Sequence, residues 1–124
     1  ERADRRVAWS PDARVVHRDH LRLRTVCRKM AEAGGAPSVR FRERHPAAYQ
    51  QLGYGKLDAR HRHWLRFLEP ISSLAVRMAV PWLEGRLDRG PLPLSWRMKL
   101  VRLLVAASYV HGTVRPDDPA FLRT

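Results

Sequence analysis

Arg5-Arg6-Val7-Ala8-Trp9-Ser10-Pro11-Asp12-Ala13-Arg14-Val15-Val16-His17 sets two short apolar runs on either side of a Ser-Pro-Asp turn. β-Branched and aromatic residues flank Pro11-Asp12, a favourable type I turn pair, so Val7–Trp9 and Arg14–Val16 read as short strands. The second run ends on His17, followed by Arg18, Asp19 and His20. From about His20 the apolar period becomes helical. Leu21, Leu23, Val26, Cys27 and Met30 share one face, Asp19 is placed as an N-cap, and Gly34-Gly35 is a good helix stop.

Beyond that stop the chain reads as helices and loops. Ala36–Arg44 is a basic connector containing Pro37, Val39 and Phe41. His45-Pro46 opens a short helix, Ala47–Leu52, which Gly53 and Gly55 end. Asp58 is placed to cap a helix carrying Trp64, Leu65, Phe67 and Leu68 that stops before Pro70. Ile71–Leu87 is helical, with Pro81 expected to kink or break it after Val80. Arg89–Pro93 is a loop. Ser95 caps a last helix, Trp96–Val110, ended by His111-Gly112, and the tail Arg115–Thr124 reads as extended. The expected class is therefore mainly α: two short N-terminal strands followed by four or five helices. A lone two-stranded hairpin is marginal in water, so the pattern suggests a piece of a larger α/β protein.

The 124 residues suit one domain or part of one, and 24 Lys+Arg against 12 Asp+Glu give a formal charge of +12. That balance favours an anionic partner: a membrane surface, a phosphorylated small molecule or nucleic acid. Lys29, Lys56 and Lys99 are the only lysines, and an arginine-rich proteome produces part of the same bias with no ligand at all. The single cysteine, Cys27, excludes an internal disulfide and implies a reducing compartment; its place in a helical pattern favours a small core residue over a nucleophile. The charged start of the chain resembles no signal peptide. The apolar stretches Ile71–Leu83 and Leu100–Val110 are too short to span a bilayer and carry Arg77 and Arg102.

The run Arg5–His17 resembles the end of the catalytic domain in family 2 glycosyltransferases of the GT-A fold. That family commonly reads Gly-x-Arg-Val, an aromatic or apolar residue, Pro-Asp/Glu-Ala, two apolar residues and His. Asp4 stands where the family has Gly. The continuation is similar too: the basic helix Leu21–Glu32, its stop at Gly34, and an Arg-x-Arg-His-Pro element at Arg42-Glu43-Arg44-His45-Pro46. The resemblance covers roughly the first third of the chain. It divides the chain into residues 1–46, the end of a GT-A-like catalytic domain, and residues 47–124, a helical C-terminal extension.

The resemblance implies that His17 is a ligand of a divalent metal, Mn or Mg, bound to the diphosphate of a nucleotide-sugar donor. Arg28 and Lys29 fall where processive relatives carry a Gln-x-x-Arg-Trp motif, and the resemblance gives them contact with the diphosphate. Neither the Gln nor the Trp is present, which favours a non-processive enzyme. The family's nucleotide-binding strand, Asp-x-Asp metal motif and acidic base precede the matched segment, so no catalytic residue is expected within this chain. It is expected to be the C-terminal fragment of a metal-dependent transferase, inactive alone, because the metal needs carboxylate ligands and the acceptor hydroxyl needs a base. The implied location is cytoplasmic, peripheral at the inner face of the membrane.

Other features have plainer readings. His17 and His20 bracket Asp19, but the change from strand to helix makes their side chains diverge. His61 and His63 lie two apart and share no helix face, so Arg60-His61-Arg62-His63-Trp64 reads as a solvated basic face with Trp64 turned to the core. Trp64, Phe67, Met78, Trp82, Trp96 and Met98 read as core anchors of an amphipathic helix group, or as membrane-interface residues given the arginines among them. The alternative function is a basic helical module without catalysis, peripheral on a membrane or bound to nucleic acid. Nucleic acid is the less favoured partner, since the chain shows no helix-turn-helix spacing, RNA-binding aromatic motif or zinc-finger pattern.

Overall fold

In the computed structural model, residues 22–86, 93–118 and 120–122 are described. They form α1 (Leu23–Gly34), α2 (Ala36–Arg44), α3 (Pro46–Gln51), α4 (Tyr54–Leu57), α5 (His63–Glu84) and α6 (Leu94–Val114). The described part is mainly helical and contains no strand. The expected strands Val7–Trp9 and Arg14–Val16, the cap Asp19 and the metal ligand His17 lie outside the described residues.

The packing starts from α1. Its buried positions Leu23, Cys27, Ala31 and Gly34 recur at helical spacing and face α5 and α6. Leu23, Cys27 and Ala31 meet Val76, Val80 and Leu83 of α5, Leu104 of α6, and Phe121 and Leu122 of the tail in one apolar cluster. A smaller cluster joins Ala59, Leu65 and Val110. Cys27 is fully enclosed, and burial pushes its thiol above the ordinary range, which suits a core residue and not a nucleophile. The first turn of α1 has no local side-chain cap. Glu84, at the end of α5, accepts the Arg24 backbone N–H at 2.7 Å instead.

Glycine decides how closely α1 and α6 approach. A Cβ on Gly112 would overlap the Ala31 carbonyl, and one on Gly34 would overlap the Tyr109 carbonyl. The two backbones therefore touch where side chains normally hold helices 8–10 Å apart. This contact explains why His111-Gly112 does not end α6 as expected: the helix continues to Val114 because Gly112 is its contact point with α1.

Other local expectations are corrected in the same physical terms. Ala36–Arg44 is a helix, not a connector. Pro37 sits in its first turn, where a missing N–H costs nothing, and the Ser38 hydroxyl donates to the Gly34 and Gly35 carbonyls. Gly53, at φ +78°, ends α3 as expected, but Gly55 lies within α4. Pro70 and Pro81 interrupt nothing: α5 is one helix of 22 residues. Both prolines are on exposed positions, as are Arg66 and Arg77, whose carbonyls lose their helical donors. Asp58 does not cap α5, and Pro93, not Ser95, is the N-cap of α6. The tail is turned, not extended, and buries Phe121 and Leu122.

The expected core anchors are on the outside. Trp64, Phe67, Met78 and Trp82 are exposed because α5 buries the register Leu65, Glu69, Ser73, Val76, Val80 and Leu83; Trp96 and Met98 are exposed at the start of α6, whose buried positions begin at Leu104. Trp64, one position away from that register, is rotated about 100° out of it. No helix among the described residues is long and apolar enough to cross a membrane.

Two glycines separate the effects of space and backbone. Gly112→Ala is expected to cost about 3 kcal/mol or to prevent folding, since the methyl meets backbone that cannot rotate away. Gly53→Ala, with open space around it, is expected to cost about 1 kcal/mol through its left-handed backbone alone. Urea unfolding followed by circular dichroism measures both.

Candidate functional site

Arg28 brings α1 to the edge of a groove of about 460 Å³, which runs between α1 and the tail. Arg115, Asp117, Asp118 and Phe121 form the opposite wall. Arg28 is half exposed and 3.8 Å from Glu32 one turn on, a weak surface pair that leaves its guanidinium adaptable. Glu32, Asp117 and Asp118 line the same groove, so its two guanidiniums, which could each fork onto a phosphate or carboxylate, stand among three carboxylates. Lys29 is exposed on the same helix but lies outside the groove lining, one helical step of about 100° away from Arg28. The structure thus brings Arg28 together with Arg115, and not with Lys29.

Beneath the groove floor is a buried polar cluster that anchors the tail. Glu69 of α5 and His111 of α6 are both enclosed, with Oε1 and Nδ1 2.7 Å apart. Arg115 Nε approaches the other Glu69 oxygen at 3.4 Å. On the far side of the ring, Nε2 is 3.2 Å from Asp118 Oδ2, an electrostatic approach whose angle is too poor for a hydrogen bond. Arg77 holds the same Asp118 oxygen at 3.0 Å, and Phe121 stacks on the imidazole at 3.9 Å. The carboxylate and imidazole are committed to each other and fix the tail that forms one wall of the groove, while Glu69 also lines a separate hollow of about 210 Å³ with Ser73, Arg77 and Arg115. Glu69 carried a legible signal: a charged residue at a core position of the α5 period requires a buried partner. His111, 42 residues away, carried none.

A second network ties the short helices to α6. Asp58 accepts Tyr49 Oη at 2.9 Å, Arg60 Nε at 2.8 Å and the Arg60 backbone N–H at 3.0 Å. Burial pushes its carboxyl up, but the bonds from Arg60 and Tyr49 outweigh burial and hold it below the usual range. The Tyr49 phenol is pushed well up, chiefly by burial and then by its neighbours Tyr109 and Asp58. Arg60 also donates to the Gly34 carbonyl and to Ser38, so it clasps the α1–α2 joint and is not part of a solvated face. His61 meets Arg42 in the turn, while His63 begins α5. Phe41, Tyr49, Tyr54 and Tyr109 pack edge-on and stacked around an aromatic hollow of about 250 Å³.

No family model, curated protein or solved structure matches the chain. The transferase resemblance therefore stands on the residues that carry it. Among the described residues no three His, Cys, Asp or Glu side chains converge in a group suited to a metal ion.

Asp58 gives this architecture a pH signature. Its folded-state pKa is depressed, so its stabilisation is present above the unfolded value and is lost as pH falls through the folded one. Asp58→Asn is expected to cost about 2 kcal/mol at neutral pH. The gap from the parent chain should narrow steadily as unfolding is measured below about pH 4. A gap independent of pH would show that the carboxylate charge contributes nothing.

Proposed function

We propose that the chain is the helical C-terminal part of a metal-dependent GT-A glycosyltransferase, which moves a sugar from a nucleotide-diphosphate donor to an acceptor. The observation that carries this reading is the run Arg5–His17, followed at the expected distance by a basic helix. In this reading the location is cytoplasmic, at the inner face of the membrane. His17 supplies one imidazole to a Mn or Mg ion whose carboxylate ligands belong to the remainder of the enzyme. The metal, when bound, offsets the charge of the departing nucleotide diphosphate.

The described residues contribute binding and orientation. Arg28 and Arg115 line opposite walls of one groove, where a donor diphosphate would have to draw them from Glu32, Asp117 and Asp118, and the cluster of Glu69, His111 and Asp118 holds the Arg115 wall in place. Lys29 adds positive potential to the same helix without lining the groove. No general base for an acceptor hydroxyl is assigned among the described residues: both Glu69 oxygens are engaged, by His111 and Arg115. Catalysis accordingly requires the preceding domain.

The coding frame upstream of Glu1 tests the reading directly. It is expected to encode several strands and an Asp-x-Asp motif; a start codon close upstream without them would overturn it. In the joined polypeptide, His17→Ala is expected to lower metal-dependent transfer by about 100-fold. Arg28→Gln is expected to raise the donor KM by about tenfold while kcat changes less. Steady-state assays with varied donor and metal separate the two effects.

A further inference from the structure

The outward face of α5 is an apolar stripe that nothing in the described fold covers. Trp64, Phe67, Ile71, Leu74, Met78 and Trp82 follow one another at three- or four-residue steps on the side opposite the buried register. Phe67 is 81% exposed, and Ile71 and Met78 are each 70% exposed. At a helical rise the stripe runs about 27 Å, with a tryptophan near each end. An uncovered stripe of this length marks an interaction surface, because isolated exposed apolar residues are ordinary but continuous rows are not.

The charges around the stripe identify its occupant. Arg66 and Arg77 border one edge, Arg77 being shared with Asp118. Arg86 closes the C-terminal end with its guanidinium 4.5 Å above the Trp82 ring. The acids of the helix are turned away: Glu69 is buried against His111, and Glu84 serves the first turn of α1. The exposed start of α6 repeats the pairing of aromatic and cation, with Lys99 over Trp96 at 5.3 Å. A second copy of a chain carrying +12 would bring like charges together across such a contact. An anionic lipid surface answers both parts of the pattern. Acyl chains take the apolar row, the indoles take the headgroup level, and the arginines meet lipid phosphates.

We propose that α5 lies flat in the interface of an anionic bilayer, its Trp64–Trp82 face immersed and its arginines at the headgroups. The surface is independent of the transferase reading, since it uses none of the residues assigned to donor or metal.

Vesicle flotation of the 124-residue chain provides the test. The chain is expected to float with equimolar phosphatidylcholine and phosphatidylglycerol, to bind phosphatidylcholine alone far more weakly, and to lose tryptophan fluorescence to brominated acyl chains. The triple variant Phe67→Ser, Ile71→Ser, Met78→Ser removes only exposed side chains, so its unfolding midpoint should match that of the parent. Its partition into anionic vesicles should fall by tenfold or more, as an order of magnitude, if the stripe is immersed. High salt should weaken parental binding without abolishing it. Failure of the parent to bind overturns the proposal, as does undiminished binding by the triple variant, which would leave charge alone as the cause. A parental dimer that the same three substitutions disperse, with no vesicle binding, would assign the stripe to a second copy and overturn it equally.

Discussion

Contact between the backbones of α1 and α6 is the constraint on which the rest of the molecule depends. Gly34 and Gly112 let the helices meet at Ala31 and Tyr109 without intervening side chains. Everything near that contact follows from it. Cys27 and Leu104 become core neighbours, Tyr109 is held close to Tyr49, which donates to Asp58, and Thr113 accepts the Ala59 backbone N–H in the 58–62 turn. Because both sides of the contact are main chain, the interface has no rotamers with which to absorb error.

The sequence made the helices legible and their ends much less so. α1, α3 and α6 announce themselves by apolar spacing and by glycine or proline at the edges. α2 does not, because its residues mix charge with a first-turn proline and show no clean apolar face. The two prolines of α5 read as breaks because local chemistry says nothing about which side of a helix faces water. Pro70 and Pro81 both lie on exposed positions of the helix, away from its buried register. Assigning Trp64 and Trp82 to the core rests on residue type alone, and type cannot tell a core face from an interaction face.

The candidate site divides along the same line. Arg28 was legible as a basic residue on a helix following the His17 run, and the structure gives it a groove. Arg115, Asp118 and Phe121 reach the opposite wall only through tertiary contacts to Glu69 and His111, partners more than 40 residues apart, as in the Arg77–Asp118 pair at a separation of 41. Long-range polar pairs leave no periodic trace. Their one visible sign is a charge in an apolar period, as at Glu69, and that sign says a partner exists without naming it.

The same long-range closure bears on how the chain comes to be made. Arg24 pairs with Glu84, and Tyr49 with Tyr109, each across 60 residues, while α6 supplies the final face of the main core. Synthesis proceeds from the N-terminus, so α1 emerges with Leu23, Cys27 and Ala31 unsatisfied and waits for nearly the whole chain to follow. Through that interval the nascent polypeptide offers apolar helix faces from both α1 and α5. The α1 face stays uncovered until α6 follows.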